Sequence, residues 1–197
     1  MPRLSALLCT IACALVLTVA CSEPPQKEID RAQQAIDSAR AAGAEQYAPE
    51  SFAEATAALQ QSHEAVDQRD YRLALSRAVD ASDRAQEAQR AAADNKAKAK
   101  SQSESAVNAA NAAVMHLQAR VKAAEEVRVA PRELAPARAA LKGAEGALQK
   151  ARTQLAAGNY AGATEAVSGL DAQIRSETHV VEAAITLKTA RRPAKKH

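Results

Sequence analysis

The chain has 197 residues and a formal net charge of +3, and 47% of its residues are nominally hydrophobic. That last figure is mostly alanine: about a quarter of the chain is Ala, aromatics make up 2% and Trp is absent. Because Ala buries little area, at about 25 cal/mol per Å² it stabilises a core far less than Leu does. A thick globular core and a stacking surface for nucleic-acid bases are therefore excluded, and the near-neutral charge singles out no polyanionic partner.

The chain opens on a short basic start, Met1 to Arg3, followed by an apolar run from Leu4 to Ala20 that carries Leu7, Leu8, Ile11, Leu15, Val16, Leu17 and Val19. At 17 residues the run falls short of the roughly 20 that a bilayer core requires, so residues 1–20 read as a signal peptide rather than a membrane span. A polar, proline-broken stretch, Ser22-Glu23-Pro24-Pro25-Gln26, follows it and makes residues 21–28 a tether. Cys9 and Cys13 lie inside the leader, so the mature chain keeps one thiol and forms no internal disulfide.

The run ends Leu17-Thr18-Val19-Ala20-Cys21, which resembles the lipobox of bacterial lipoproteins, with Thr18 standing where Leu is usual. The resemblance implies that the Cys21 thiol carries diacylglycerol and that the leader is cleaved before it. An ordinary leader cut after Ala20, which would leave Cys21 as a free thiol, is the alternative. Several acyl chains at about 0.8 kcal/mol per buried CH₂ would make the anchor effectively permanent. Ser22, in the position where Asp would mark inner-membrane retention, resembles outer-membrane sorting.

The mature chain reads as helix throughout, since Ala, Glu, Gln, Lys and Arg lead the helix-propensity order. Ile29, Ala32, Ile36 and Ala39 predict a helix over about 29–42 with Gly43 as its cap. A second helix is expected over about 49–68, opened by Pro49 and Glu50, with Phe52, Leu59 and Val66 on a heptad stripe. The step Arg69-Asp70-Tyr71 predicts a tight turn into a third helix over about 71–93, with Tyr71, Ala78, Ala85 and Ala92 on one seam and Ala74, Ala81 and Ala88 beside it. These three helices form a first unit, 29–93.

Residues 94–127 read as a helical connector. Lys96, Lys98 and Lys100 interrupt its apolar pattern as either a solvated helix or a hinge, before Val107, Ala110, Val114, Leu117, Val121 and Ala124 resume the stripe. A second hairpin is expected over 131–187. Its first arm carries Leu134, Leu141, Leu148 and Leu155 with Ala137, Ala144 and Ala151. Gly158-Asn159 makes the turn, and Tyr160, Ala163, Val167, Leu170, Ile174 and Val181 continue into a return helix. The end, 188–197, is expected to be a disordered basic tail with Lys188, Arg191, Arg192, Lys195 and Lys196 available to an anionic surface, each contributing about 1 kcal/mol there.

The segment from Ala48-Pro49 to Tyr71 and Ala74 parallels that from Ala130-Pro131 to Tyr160 and Ala163. Pro to Tyr spans 22 residues in the first and 29 in the second, a difference of one heptad, which reads as two related hairpins. The fold class is therefore all-α: elongated antiparallel helical hairpins, coiled-coil-like, with Ala-rich seams and a long central helix. Such seams close equally well within one molecule or between two copies, so a homo-oligomer is one expectation.

At Cys21, Tyr47-Ala48-Pro49-Glu50 and Asp70-Tyr71 the chain resembles a family of bacterial lipoproteins catalogued only as a domain of unknown function. The match covers roughly residues 20–100, with a diverged echo at about 127–177. The turn-Tyr-x-x-Ala element also looks like part of a tetratricopeptide repeat, without that repeat's large residues or fixed period.

His63, His116, His179 and His197 are scattered, and no metal-ligand spacing, phosphate loop or nucleophile elbow accompanies them. No catalytic residue, metal or cofactor is expected. The expectation is a non-enzymatic outer-membrane lipoprotein, facing the periplasm as a spacer, scaffold or adaptor for envelope proteins or the cell wall. The alternatives are a helical-repeat-like binding module for a peptide or hydrophobic ligand, and a cell-wall-associating lipoprotein that uses its basic tail. Nucleic acid is not an expected partner.

Overall fold

The structure, a computed structural model, describes residues 23–190. Among them are seven helices and no strand, an all-α architecture: α1 Gln26–Ala41, α2 Ala44–Tyr47, α3 Pro49–Asp67, α4 Tyr71–Glu126, α5 Ala135–Ala156, α6 Tyr160–Ala166 and α7 Leu170–Ala190. The chain divides into two compact units, Met1–Lys96 and Ala97–His197, and each has its own core.

In the first unit α1, α3 and the first part of α4 pack together. Ile29, Ala32, Ile36 and Ala39 of α1 are buried against Phe52, Ala55, Ala58 and Leu59 of α3 and Ala78, Ala81, Ala85, Ala88 and Ala92 of α4. The α4 alanines are all fully buried within this one chain, so their seam closes internally. A run of Ala at both core positions lets the helix axes approach toward the short end of the usual 8–10 Å or so. Gly43, at φ +89, ends α1 by donating its N–H to the Arg40 carbonyl at 2.9 Å. Pro49 occupies the first turn of α3, where its missing N–H leaves no hydrogen bond unmade.

The order of the helices along the unit follows from cross-helix contacts. Arg84 of α4 reaches Glu54 of α3 at 2.5 Å, and Ser62 farther along α3 meets Ala74 farther back on α4, so these two helices run antiparallel. At the far end Asn95 donates to the Tyr47 carbonyl at 2.7 Å, while Arg40 lies 5.3 Å over the Phe52 ring. Near the other end the first turns of α1, at Glu28 and Arg31, lie beside Ala78 and Val79 of α4.

The second unit repeats the plan with the second part of α4, α5 and α7. The sequence-based connector is in fact core-forming: Val107, Val114, Leu117 and Val121 pack against Leu134, Ala144, Leu148, Ile174 and Val181. Polar pairs rail the α4–α5 seam at heptad steps. Arg138 bonds Glu125 at 2.6 Å, Glu145 accepts from Gln118 at 3.4 Å, and Arg152 donates to Asn111 at 3.0 Å. Each advance of seven on α5 is met by a retreat of seven on α4, the signature of an antiparallel coiled-coil register. Arg120 Nε pairs with Glu182 of α7 at 2.9 Å.

Between Lys96 and Ser105, where either a solvated helix or a hinge was expected, α4 is helical without interruption. No residue from Ala93 to Gln102 is buried, and Lys100 and Glu104 pair one turn apart at 4.0 Å. Helix propensity alone carries this stretch.

Four expectations need correction. The second hairpin's first arm begins at Ala135 with Pro136 in its opening turn, not at Pro131, which sits in the 127–134 loop. α3 and α5 therefore have 19 and 22 residues and do not differ by a heptad. The return helix is broken at Val167–Gly169, where Gly169 takes φ +72 and separates α6 from α7. Val167 and Leu170 nonetheless both stay buried, so the break redirects the backbone while keeping its apolar face inward. Finally, Lys188 is not in a disordered tail but in the last turn of α7, where a cation suits the helix dipole.

Candidate functional site

Cys21, the residue on which the lipid reading rests, lies outside the described residues, as do Arg191, Arg192, Lys195, Lys196 and His197. Of the basic group only Lys188 is placed, exposed on α7. No described helix is long and apolar enough to cross a membrane.

The two hairpin corners share one backbone design. After α3, Arg69 takes φ +59, donates its N–H to the Val66 carbonyl and passes the next N–H, that of Asp70, to Ala65. After α5, Gly158 takes φ +74 and donates to Leu155, and the N–H of Asn159 goes to Gln154. This is the Schellman pattern, which satisfies the last carbonyls of a helix through one left-handed residue. In each corner the following residue then caps the next helix: Asp70 Oδ1 accepts from Leu73 N–H and Asn159 Oδ1 from Gly162 N–H, both at 3.0 Å. Tyr71 and Tyr160 follow these caps and are half-buried. A third Schellman end, at Arg128 with φ +62, closes α4.

Around this shared frame the side chains differ. The first corner bears Leu73, Leu75 and Val79, at 40%, 41% and 47% exposure. The second bears Gly162 and Thr164 in place of the two leucines and opens onto a groove of about 580 Å³ lined by Gly146, Lys150, Gln154, Asn159 and Glu165. Both corners were expected as turns from Arg69-Asp70-Tyr71 and Gly158-Asn159. The caps could have been found from Asp70 and Asn159 standing three residues before a helical N–H, but the exposure of Leu73 and Leu75 depends on where α1 begins.

His116 and His179, 63 positions apart in the sequence, line one groove of about 290 Å³ between α4 and α7, floored by Ala113, Ile174 and Thr178 and edged by Arg175 and Glu182. His179 stands 4.0 Å from Glu182, which already pairs with Arg120. The Arg175 guanidinium is held above its ordinary pKa by its hydrogen bond to Asp171. His63 is exposed on α3 and is not among the residues that line this groove. Among the described residues no three His, Cys, Asp or Glu are grouped to hold a metal ion. Two imidazoles on an open surface, one beside a committed carboxylate, form neither a nucleophile–base pair nor an acid–base dyad.

No protein-family model matches the chain, and neither does any curated protein or solved structure.

Proposed function

We propose that this chain is a non-enzymatic lipoprotein of the bacterial outer membrane, anchored through Cys21, whose helical units face the periplasm as a spacer, scaffold or adaptor for envelope proteins or the cell wall. The observation that carries this reading is the succession of a basic start, a 17-residue apolar run, Ala20-Cys21 and a proline-broken tether, all before the first described helix at Gln26. Support for a surface-based role comes from the side chains themselves. Most of the larger apolar residues are spent on two seams, with Leu73, Leu75, Val79, Met115, Val180 and Leu187 left exposed, and charged residues stand on the outside, some in pairs such as Arg84 with Asp80 and Arg138 with Glu125.

The test is metabolic labelling with palmitate in a bacterium that expresses the full chain. Label is expected on the wild-type chain and absent from Cys21→Ser. Equal labelling of the two would overturn the anchor. In-cell crosslinking of the labelled protein, followed by identification of what it captures, would name the partner.

A further inference from the structure

The first corner carries apolar residues that its own architecture does not need. Tyr71, Leu75 and Val79 are spaced four apart and so lie along one stripe of α4. α1 covers only the inner end of that stripe, because its first turns lie beside Ala78 and Val79. The residues from Tyr71 to Ala78 rise about 10 Å along α4, so Tyr71 and Leu75 stand beyond the point where α1 begins. Leu73 adds a second exposed apolar side chain at the same tip.

The second unit supplies an internal control. Its corner has a left-handed residue, carbonyl acceptors and a side-chain cap at the matching positions, yet has Gly162 where the first has Leu73 and Thr164 where the first has Leu75. Leucine at these places is therefore no requirement of the turn. It occurs only in the unit that follows Cys21.

The chain length between Cys21 and α1 says what covers this tip. Five residue steps separate Cys21 from Gln26, and a fully extended chain spans about 17 Å over that length. This exceeds the roughly 7 Å by which the corner stands past the start of α1, taking 1.5 Å per helical residue. A lipid on Cys21 holds the bilayer within reach of this corner of the first unit.

We infer that the tip formed by Tyr71, Leu73 and Leu75 docks on the interface of the bilayer to which the chain is tethered. The inference rests on the anchor reading above. Tyr71 suits the interface, having a ring for the acyl boundary and a hydroxyl for the headgroups. Arg69 and Arg72 flank the leucines on long stems that can keep their guanidinium groups at the phosphates.

The chain contains no Trp, so a single introduced indole reports its own surroundings. The chain from Cys21 onward, coupled through its one thiol to a maleimide lipid in vesicles of phosphatidylethanolamine and phosphatidylglycerol with brominated acyl chains, is compared as Leu75→Trp, Val79→Trp and Thr164→Trp. Leu75→Trp is expected to lose emission about two-fold relative to non-brominated vesicles, Val79→Trp less, and Thr164→Trp not at all. Two results would overturn the inference: equal bromine quenching of Leu75→Trp and Thr164→Trp, or a Leu75→Trp indole shielded from both bromolipid and aqueous acrylamide, which would mean that the tether itself covers the tip. Because the coupling is chemical, failure here leaves the palmitate result standing, and failure of palmitate labelling leaves this measurement interpretable.

Discussion

The hydroxyl of Ser62 donates to the backbone carbonyl of Ala74 at 2.8 Å across the α3–α4 seam, with both residues fully buried. The matched pair in the second unit is Ala151 and Ala163, counted from the corner tyrosines, and both are also fully buried with no hydroxyl between them. Both seams thus bury this pair fully, one with the hydrogen bond and one without it. Ser62→Ala is expected to cost about 1 kcal/mol in urea unfolding, the ordinary net value of one intramolecular hydrogen bond. Ser62→Leu, which forces volume into a seam sized for a hydroxymethyl group, should cost about 1–3 kcal/mol.

Ser103 poses the opposite case. Its side chain is fully buried in the second unit and its Oγ has no hydrogen-bond partner among the described residues. An unsatisfied buried hydroxyl is destabilising, so Ser103→Ala should raise stability by up to about 1–2 kcal/mol. Urea midpoints of the two Ser→Ala variants should move in opposite directions; a lower midpoint for Ser103→Ala would refute the contrast.

The corner caps should be of equal worth and independent. Asp70→Ala and Asn159→Ala each remove the acceptor for a helix-opening N–H and are each expected to cost about 1 kcal/mol. The two sites are in separate units, so the double variant should show the sum within about 0.5 kcal/mol.

The left-handed residues divide by type. Arg69 and Arg128 adopt φ +59 and +62, a conformation that costs an L-residue about 1–2 kcal/mol, whereas glycine fills the same role at Gly158. Arg69→Gly and Arg128→Gly should each stabilise by about 0.5–1 kcal/mol once glycine's larger unfolded-state entropy is offset. Gly158→Arg should destabilise by a similar amount. Thermal melts of the three variants check the signs.

Much of this protein is written in its local sequence. Helix throughout follows from Ala, Glu, Gln, Lys and Arg, and the buried set Ile29, Ala32, Ile36 and Ala39 could be read from spacing alone, because a 3.6-residue period puts them on one face. The turns at Arg69-Asp70 and Gly158-Asn159 were equally legible, since each short step interrupts an apolar helical pattern. The start of α5 is a local matter too: a helix opened at Pro131 would hold Pro136 in its interior, where the missing N–H and the ring break the backbone ladder, so the later proline opens the helix. Tertiary structure decided what spacing cannot encode. The stripe at Val107–Ala124 has the same period whether it faces solvent, a partner or its own chain, and the approach of α5 and α7 gave it a core to join. Leu75 and Ala78 lie three residues apart on one helix; how far α1 extends alongside them leaves the first half-exposed and the second buried.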